Sequence, residues 1–237
     1  MLTQHVVFSL FRYRRRHTLL ALIKMGFQGR LMGSDLPAGD IRLMGCGSGD
    51  GFSIWPNLRA YCLMCAAPEP ADFARLQRTR FYRWVAGPSI EQLHFVLEPL
   101  SGHGTWNGEP LFDYTRQPVG DQPFAVLTHA RVARPQARAF WRSVPSIRRH
   151  LREVEGCLYH IGFGEHPLLT LATFSIWNDL QQMQTFAYRH SPHHDASKAA
   201  RQEGWLAESM FVRFAIRQIF GDVARYPRLA ELSAAQA

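Results

Sequence analysis

Apolar residues along the chain gather into short runs, and the runs occur twice in the same order. "VVFSLFRY" (6 to 13) has a partner in "AVLTHARV" (125 to 132), 119 positions later; "GCGSGDGF" from Gly45 is echoed by "GFGEHPLL" from Gly162, 117 positions later. "LHFVLEP" then matches "MFVRFAI", and "HGTW" matches "IFGD", at nearly the same spacing. A constant offset across several elements predicts two copies of one unit. In each copy an apolar strand leads into a helix with apolar residues at helical spacing, "TLLALIKMGFQGRL" and then "ARAFWRSVPSIRRHL". Two strands follow, "DIRLMGC" with "RAYCLMCAA" and "CLYHIGF" with "LATFSIW". A second helical region, opened by Pro70 in the first copy and Asp179 in the second, precedes a last strand. This is βαββαβ twice over: an α+β chain of two tandem ferredoxin-like units. Each antiparallel sheet has helices on one face only, so packing the two sheets together covers the other faces. The halves are expected at 1–115 and 116–237, with "GEPLFDYTRQPVGDQP" (108 to 123) as the link.

Composition narrows the setting. With 46% hydrophobic and 19% charged residues the chain reads as an ordinary globular protein, and its formal charge of +8 admits anionic partners. The basic residues are dispersed and form no nucleic-acid motif, so anionic membrane surfaces or the carboxylates of a bound cofactor are better explanations. No apolar run approaches the roughly 18 residues of a membrane span, and the apolar residues of "MLTQHVVFSLFRYRRR" precede the charges, the reverse of a signal peptide. The expected location is cytoplasmic, with peripheral membrane contact and a homodimer both compatible. Cys62 and Cys65 in "YCLMCAA", three apart on a strand, point to opposite faces and cannot chelate one metal; buried free thiols are expected.

Candidate chemistry is concentrated in the second copy. In "RHSPHHDASKAAR", Ser191 as helix cap and Pro192 in the first turn place His193, Ala196, Ser197 and Ala200 on one face, whereas His194 shares a face with Lys198 and Arg201. His129 and Arg131 stand two apart on a strand and so share a face. His160 shares one with Gly162 and Gly164, and Ser175 with Thr173 and Trp177. Trp106, Trp141, Trp177 and Trp205 suit the core, with Trp205 a candidate to line an apolar pocket. The glycine-rich "GCGSGDG" lacks the lysine and helix start of a phosphate loop, and "HGTWNG" lacks the strained elbow of a serine hydrolase.

"LFRY", "GCGSGDGF", "GTWNGEPLF", "FWRSVP", "IGFGEHP", "TFSIWND", "FAYRHSPH" and "EGWLAESMFVRF", in order from about residue 8 to 221, together resemble the spheroidene monooxygenase family of carotenoid biosynthesis. The resemblance implies a dimeric α+β barrel fold, haem b as cofactor, and oxidation of an acyclic carotenoid. His193 matches the family's "PH" motif and is the expected iron ligand, because a flat macrocycle needs small neighbours such as Ala196 and Ala200 beside its axial imidazole. His160 and Trp205 would line the cofactor. His129 and Arg131 are candidate distal hydrogen-bond donors or propionate partners, although Arg131 also repeats Arg12 of the first copy and suits a structural role. Ser175 is a candidate distal hydroxyl or a plain sheet position. The first copy carries Leu76 near the equivalent of His193, so one haem per chain is expected. With no flavin or iron–sulfur signature, electrons would come from an external donor. Aldoxime dehydration, peroxidase chemistry, or haem carriage without catalysis are the alternatives.

Overall fold

Strands that are apolar on both faces need cover on both, and the architecture supplies it. In the computed structural model the described residues are 5–18, 23, 36, 39–49, 53–67, 69, 71–115, 117–166, 168–189 and 191–235. Their strands are β1 (His5–Tyr13), β2 (Asp40–Gly47), β3 (Pro56–Ala67), β4 (Ser89–Gly104), β5 (Phe124–Val132), β6 (Cys157–His166), β7 (Thr170–Trp177) and β8 (Leu206–Gly221). All pair antiparallel in one closed barrel, in the order β1-β3-β2-β6-β7-β5-β8-β4. Each half of the chain thus contributes a ferredoxin-like sheet, β4-β1-β3-β2 or β8-β5-β7-β6, and the sheets meet edge to edge.

The two seams differ. β4 and β8 pair over a long stretch from Leu93↔Gly221 to Gly104↔Met210, whereas β2 and β6 meet only at Gly45↔Gly164 and Cys46↔Phe163. The glycine-rich repeats seen in the sequence therefore face each other across the short seam. On the other side of β6, at β7, a Cβ on Gly164 would lie 2.2 Å from the Thr170 carbonyl oxygen, so the approach of β7 to β6 requires glycine.

Alternation along β1 sends Val6, Phe8 and Leu10 into the barrel and Val7, Phe11 and Tyr13 outward. The interior is a packed core: Phe8 stacks on Phe174 at 4.4 Å, and Phe95 and Phe163 lie within 5.1 Å of one or other of these rings. Cys62 belongs to this interior and Cys65 to the outer layer, and all four cysteines are buried free thiols.

Six α-helices are described: α1 (Ala71–Arg78), α2 (Arg80–Ala86), α3 (Ala137–Glu153), α4 (Leu180–Tyr188), α5 (Pro192–Gln202) and α6 (Pro227–Ala235). Helices α1 and α2 cover the outer face of the first sheet and α3 and α4 that of the second, with α5 packed on α3 and α4. The single helical region expected after Pro70 is two helices, because Thr79 ends α1 and caps α2 by accepting from the Tyr82 N–H at 3.1 Å. The helix expected within 18–31, and Pro70 itself, lie outside the described residues. α6, which no repeat announces, plugs one barrel end with Leu229 and Leu232. Beside it the buried Glu91 accepts from Tyr226 Oη at 2.5 Å and pairs with Arg12 at 3.1 Å.

Candidate active site

The outer face of the second sheet gathers most of the candidate residues. Interior positions of β6 and β7 are Tyr159, Ile161 and Phe163, and Ala172, Phe174 and Ile176. Strand alternation therefore turns His160 and Ser175, which pair across the two strands, toward the helices. Trp177 Nε1 donates to Ser175 Oγ at 2.9 Å. An indole nitrogen can only donate, so the serine accepts there and keeps its own proton for another group. His160 Nδ1 lies 3.8 Å from Cys157 Sγ.

Above this face, Ser191 caps α5 as expected: its hydroxyl accepts from the His194 N–H at 3.0 Å and donates to the Phe186 carbonyl at 2.6 Å. Pro192 occupies the first turn. The His193 ring then lies against Phe186, centroids 5.0 Å apart, with Nδ1 3.4 Å from the Ala187 carbonyl oxygen. A carbonyl only accepts, so Nδ1 carries the proton and Nε2 the lone pair. Burial is the main cause lowering the pKa of His193 below its ordinary value; the Ala187 carbonyl opposes this and nearby His194 and His150 add to it. A neutral imidazole with its Nε2 lone pair oriented by a backbone carbonyl is a competent metal ligand.

The rest of this helix face carries small side chains. Ala196, Ser197 and Ala200 are all half-buried, and α5 has no fully buried side chain between Pro192 and Gln202. Trp205 follows the helix, buried, its Nε1 donating to Glu203 at 2.8 Å. Among the described residues no group of three or more His, Cys, Asp or Glu could hold a metal ion.

His129 and Arg131 share a face, as expected, but it is the opposite one. Ala125 and Leu127 set the sense of β5, so both residues point into the barrel at the end away from α6. There they face neither α5 nor Ser175. His129 is 2% exposed and stacks on Trp106 at 4.1 Å. Burial chiefly lowers its pKa, against the pull of Glu208 and Glu165. Trp106, under the Arg42 guanidinium, donates to Glu165 at 3.2 Å, and Arg42 pairs with Glu165 at 2.8 Å. Arg131 pairs with Glu208 at 3.2 Å. Burial would raise the Glu208 carboxyl, but bonds from Gly108 N–H, Thr105 and Arg131 outweigh it and hold the pKa at about 2. This cluster closes the barrel end. Sequence patterning missed it because Trp106 arrives from an irregular segment, through an isolated bridge to Glu109.

Comparison with known proteins decides the family. No established family profile matches the chain. It is 36% identical over 211 residues to the spheroidene monooxygenase of Rhodobacter capsulatus, spanning 87% of each protein. The chain belongs to the spheroidene monooxygenase family. A second member of that family, from Cereibacter sphaeroides, is 30% identical over 227 residues, 94% of this chain and 69% of the relative. Among solved structures, aldoxime dehydratase in complex with butyraldoxime superimposes with a TM-score of 0.55 at 13% identity, over 91% of this chain and 80% of that one. It shares the fold.

Proposed function

We propose that this family member is a haem-dependent monooxygenase of an acyclic, carotenoid-like polyene, with haem b held between α5 and the outer face of the second sheet. The observation that carries the site is His193: a half-buried, neutral imidazole whose Nδ1 is committed to the Ala187 carbonyl, on a helix face otherwise made of Ala196, Ser197 and Ala200. The family relatives, named spheroidene monooxygenase, support the reaction class and the substrate class.

When bound, haem would supply the activation of dioxygen. His193 Nε2 would hold the iron, and the small residues one and two turns along α5 would leave room for the flat ring. Ser175, on the opposing sheet, keeps a hydroxyl proton that it can donate, and Trp177 fixes the orientation of its oxygen. His160 flanks it across the β6–β7 pair. A polyene would be positioned by the apolar and aromatic side chains of this layer, Phe186 and Met183 among them. One oxygen atom enters the substrate and the other leaves as water, which consumes two electrons and two protons, so an external donor serves the reaction.

Incubation with an acyclic carotenoid, a reducing system and labelled dioxygen tests this reading. Label in an alcohol or ketone product is the expected result. No product from any polyene, together with conversion of an aldoxime to a nitrile without dioxygen, would replace monooxygenation with dehydration.

A further inference from the structure

The barrel end that α6 plugs carries a surface the proposed chemistry does not use. The loop between β2 and β3 exposes two large apolar side chains side by side, Ile54 at 48% and Trp55 at 70%. Neither is needed for the core. The register Arg12↔Ala60 sets the residues that follow β1 beside those that precede β3. Exposed Arg14, Arg15 and Arg16 therefore run alongside residues 56–58, the stretch that joins Ile54 and Trp55 to exposed Arg59. Among the described residues none of these four arginines has an ion pair. Arg15 and Arg59 share a cleft of about 450 Å³ with Thr18, Ser48 and Asn57, so two guanidinium groups and several hydrogen-bonding groups line one concavity.

We propose that this face docks the protein on an anionic lipid bilayer, with Ile54 and Trp55 entering the interfacial region, Arg14, Arg15, Arg16 and Arg59 meeting lipid phosphates, and the Arg15–Arg59 cleft receiving a headgroup. Exposed tryptophan with adjacent arginines matches the chemistry of a membrane interface, where an amphipathic ring sits at headgroup depth and each basic residue adds attraction to anionic lipid. The chain's +8 charge has the matching sign. Among the described residues no helix is long and apolar enough to cross a membrane, so docking would be peripheral. The loop also touches the helical layer of the second half: a Cβ on Gly49 would meet the Arg148 side chain of α3 at 2.1 Å. A docked loop would therefore bring the edge of that layer close to the bilayer, the phase in which an apolar substrate dissolves.

The test is sedimentation of the full chain with vesicles of phosphatidylcholine alone or of two parts phosphatidylcholine to one part phosphatidylglycerol. It reads binding and not turnover, so it can fail independently of the proposed reaction. The expected result is partitioning to the anionic vesicles that weakens as salt rises. Ile54→Ser with Trp55→Ser should lower partitioning by about tenfold or more, and each of Arg15→Gln and Arg59→Gln by roughly fivefold. Leu168→Ser, at an exposed apolar side chain on the opposite barrel end, should leave it unchanged. Brominated lipid should quench tryptophan emission in the parent and much less in Trp55→Phe. The proposal is overturned if the parent does not sediment with anionic vesicles at low salt, if the Ile54/Trp55 variant sediments equally, or if that variant instead dissolves a dimer, which would assign the patch to a second copy of the chain.

Discussion

The two outer layers of the barrel, built from the same unit, are filled differently. Over the first sheet, α1 and α2 bury Phe73, Leu76, Phe81, Tyr82, Val85 and Ala86 against β1, β3 and β4. Over the second, the much longer α3 buries only Val144 and Leu151, α4 only Met183 and Phe186, and α5 nothing completely. Each layer also holds a histidine, His94 on β4 and His193 on α5, and the pair marks the contrast. His94 is closed in: Nδ1 lies 2.8 Å from Ser9 Oγ, and the ring stacks on Phe220 at 4.7 Å and meets Phe11 edge-on. His193 is held by one carbonyl and one ring, and the residues one and two turns along its helix face are alanines and a serine. A filled layer stabilises the barrel, whereas a sparsely filled one with an oriented imidazole can accept a flat ligand.

This comparison breaks if the first layer turns out to be functional or the second to be stabilising. Phe81→Ala should cost about 3–5 kcal/mol, read as a fall in unfolding midpoint, and leave any haem spectrum of the folded protein unchanged. His94 gives the next largest effect. Burial chiefly lowers its pKa to about 4, against the pull of Asp222, so the folded state binds its proton less readily than the unfolded state, where the value is about 6.5. That contribution is fully present above pH 6.5 and should be lost by about 1.4 kcal/mol per unit as pH falls toward 4, then level off. Equilibrium unfolding across that window should show the slope, and His94→Gln should flatten it.

In the second layer the expected effects fall on binding and turnover. Ala196→Phe puts a bulky ring one turn from His193 on the half-buried helix face and should weaken haem binding ten- to hundredfold, about 1–3 kcal/mol, with little change in the stability of the haem-free protein. A stability loss as large as that of Phe81→Ala would show the layer to be packed after all. Ser175→Ala removes a donor worth about 1.4 kcal/mol and should slow product formation roughly tenfold with haem retained.

Much of this was legible in the sequence because the repeat is carried by local signals. Strand runs, the Asp179 and Ser191 caps and the opposed faces of Cys62 and Cys65 all follow from periods of two or 3.6 and from hydrogen-bond chemistry. What alternation cannot give is sense. It pairs His129 with Arg131 and places Ser175 on a face with Trp177, but only closure of the barrel decides which pair meets the helices. The stack of His129 on Trp106 and the α6 plug were hidden for another reason: both join segments far apart in the chain, through contacts that leave no periodic mark.

The central claim is that His193, on the sparsely filled side of the second sheet, is the haem ligand, and titration of the haem-free protein with haem tests it most directly. The parent and His194→Ala should develop the same Soret band, and His193→Ala should fail to develop it or show it strongly shifted. An unaltered band and affinity in His193→Ala would contradict the account.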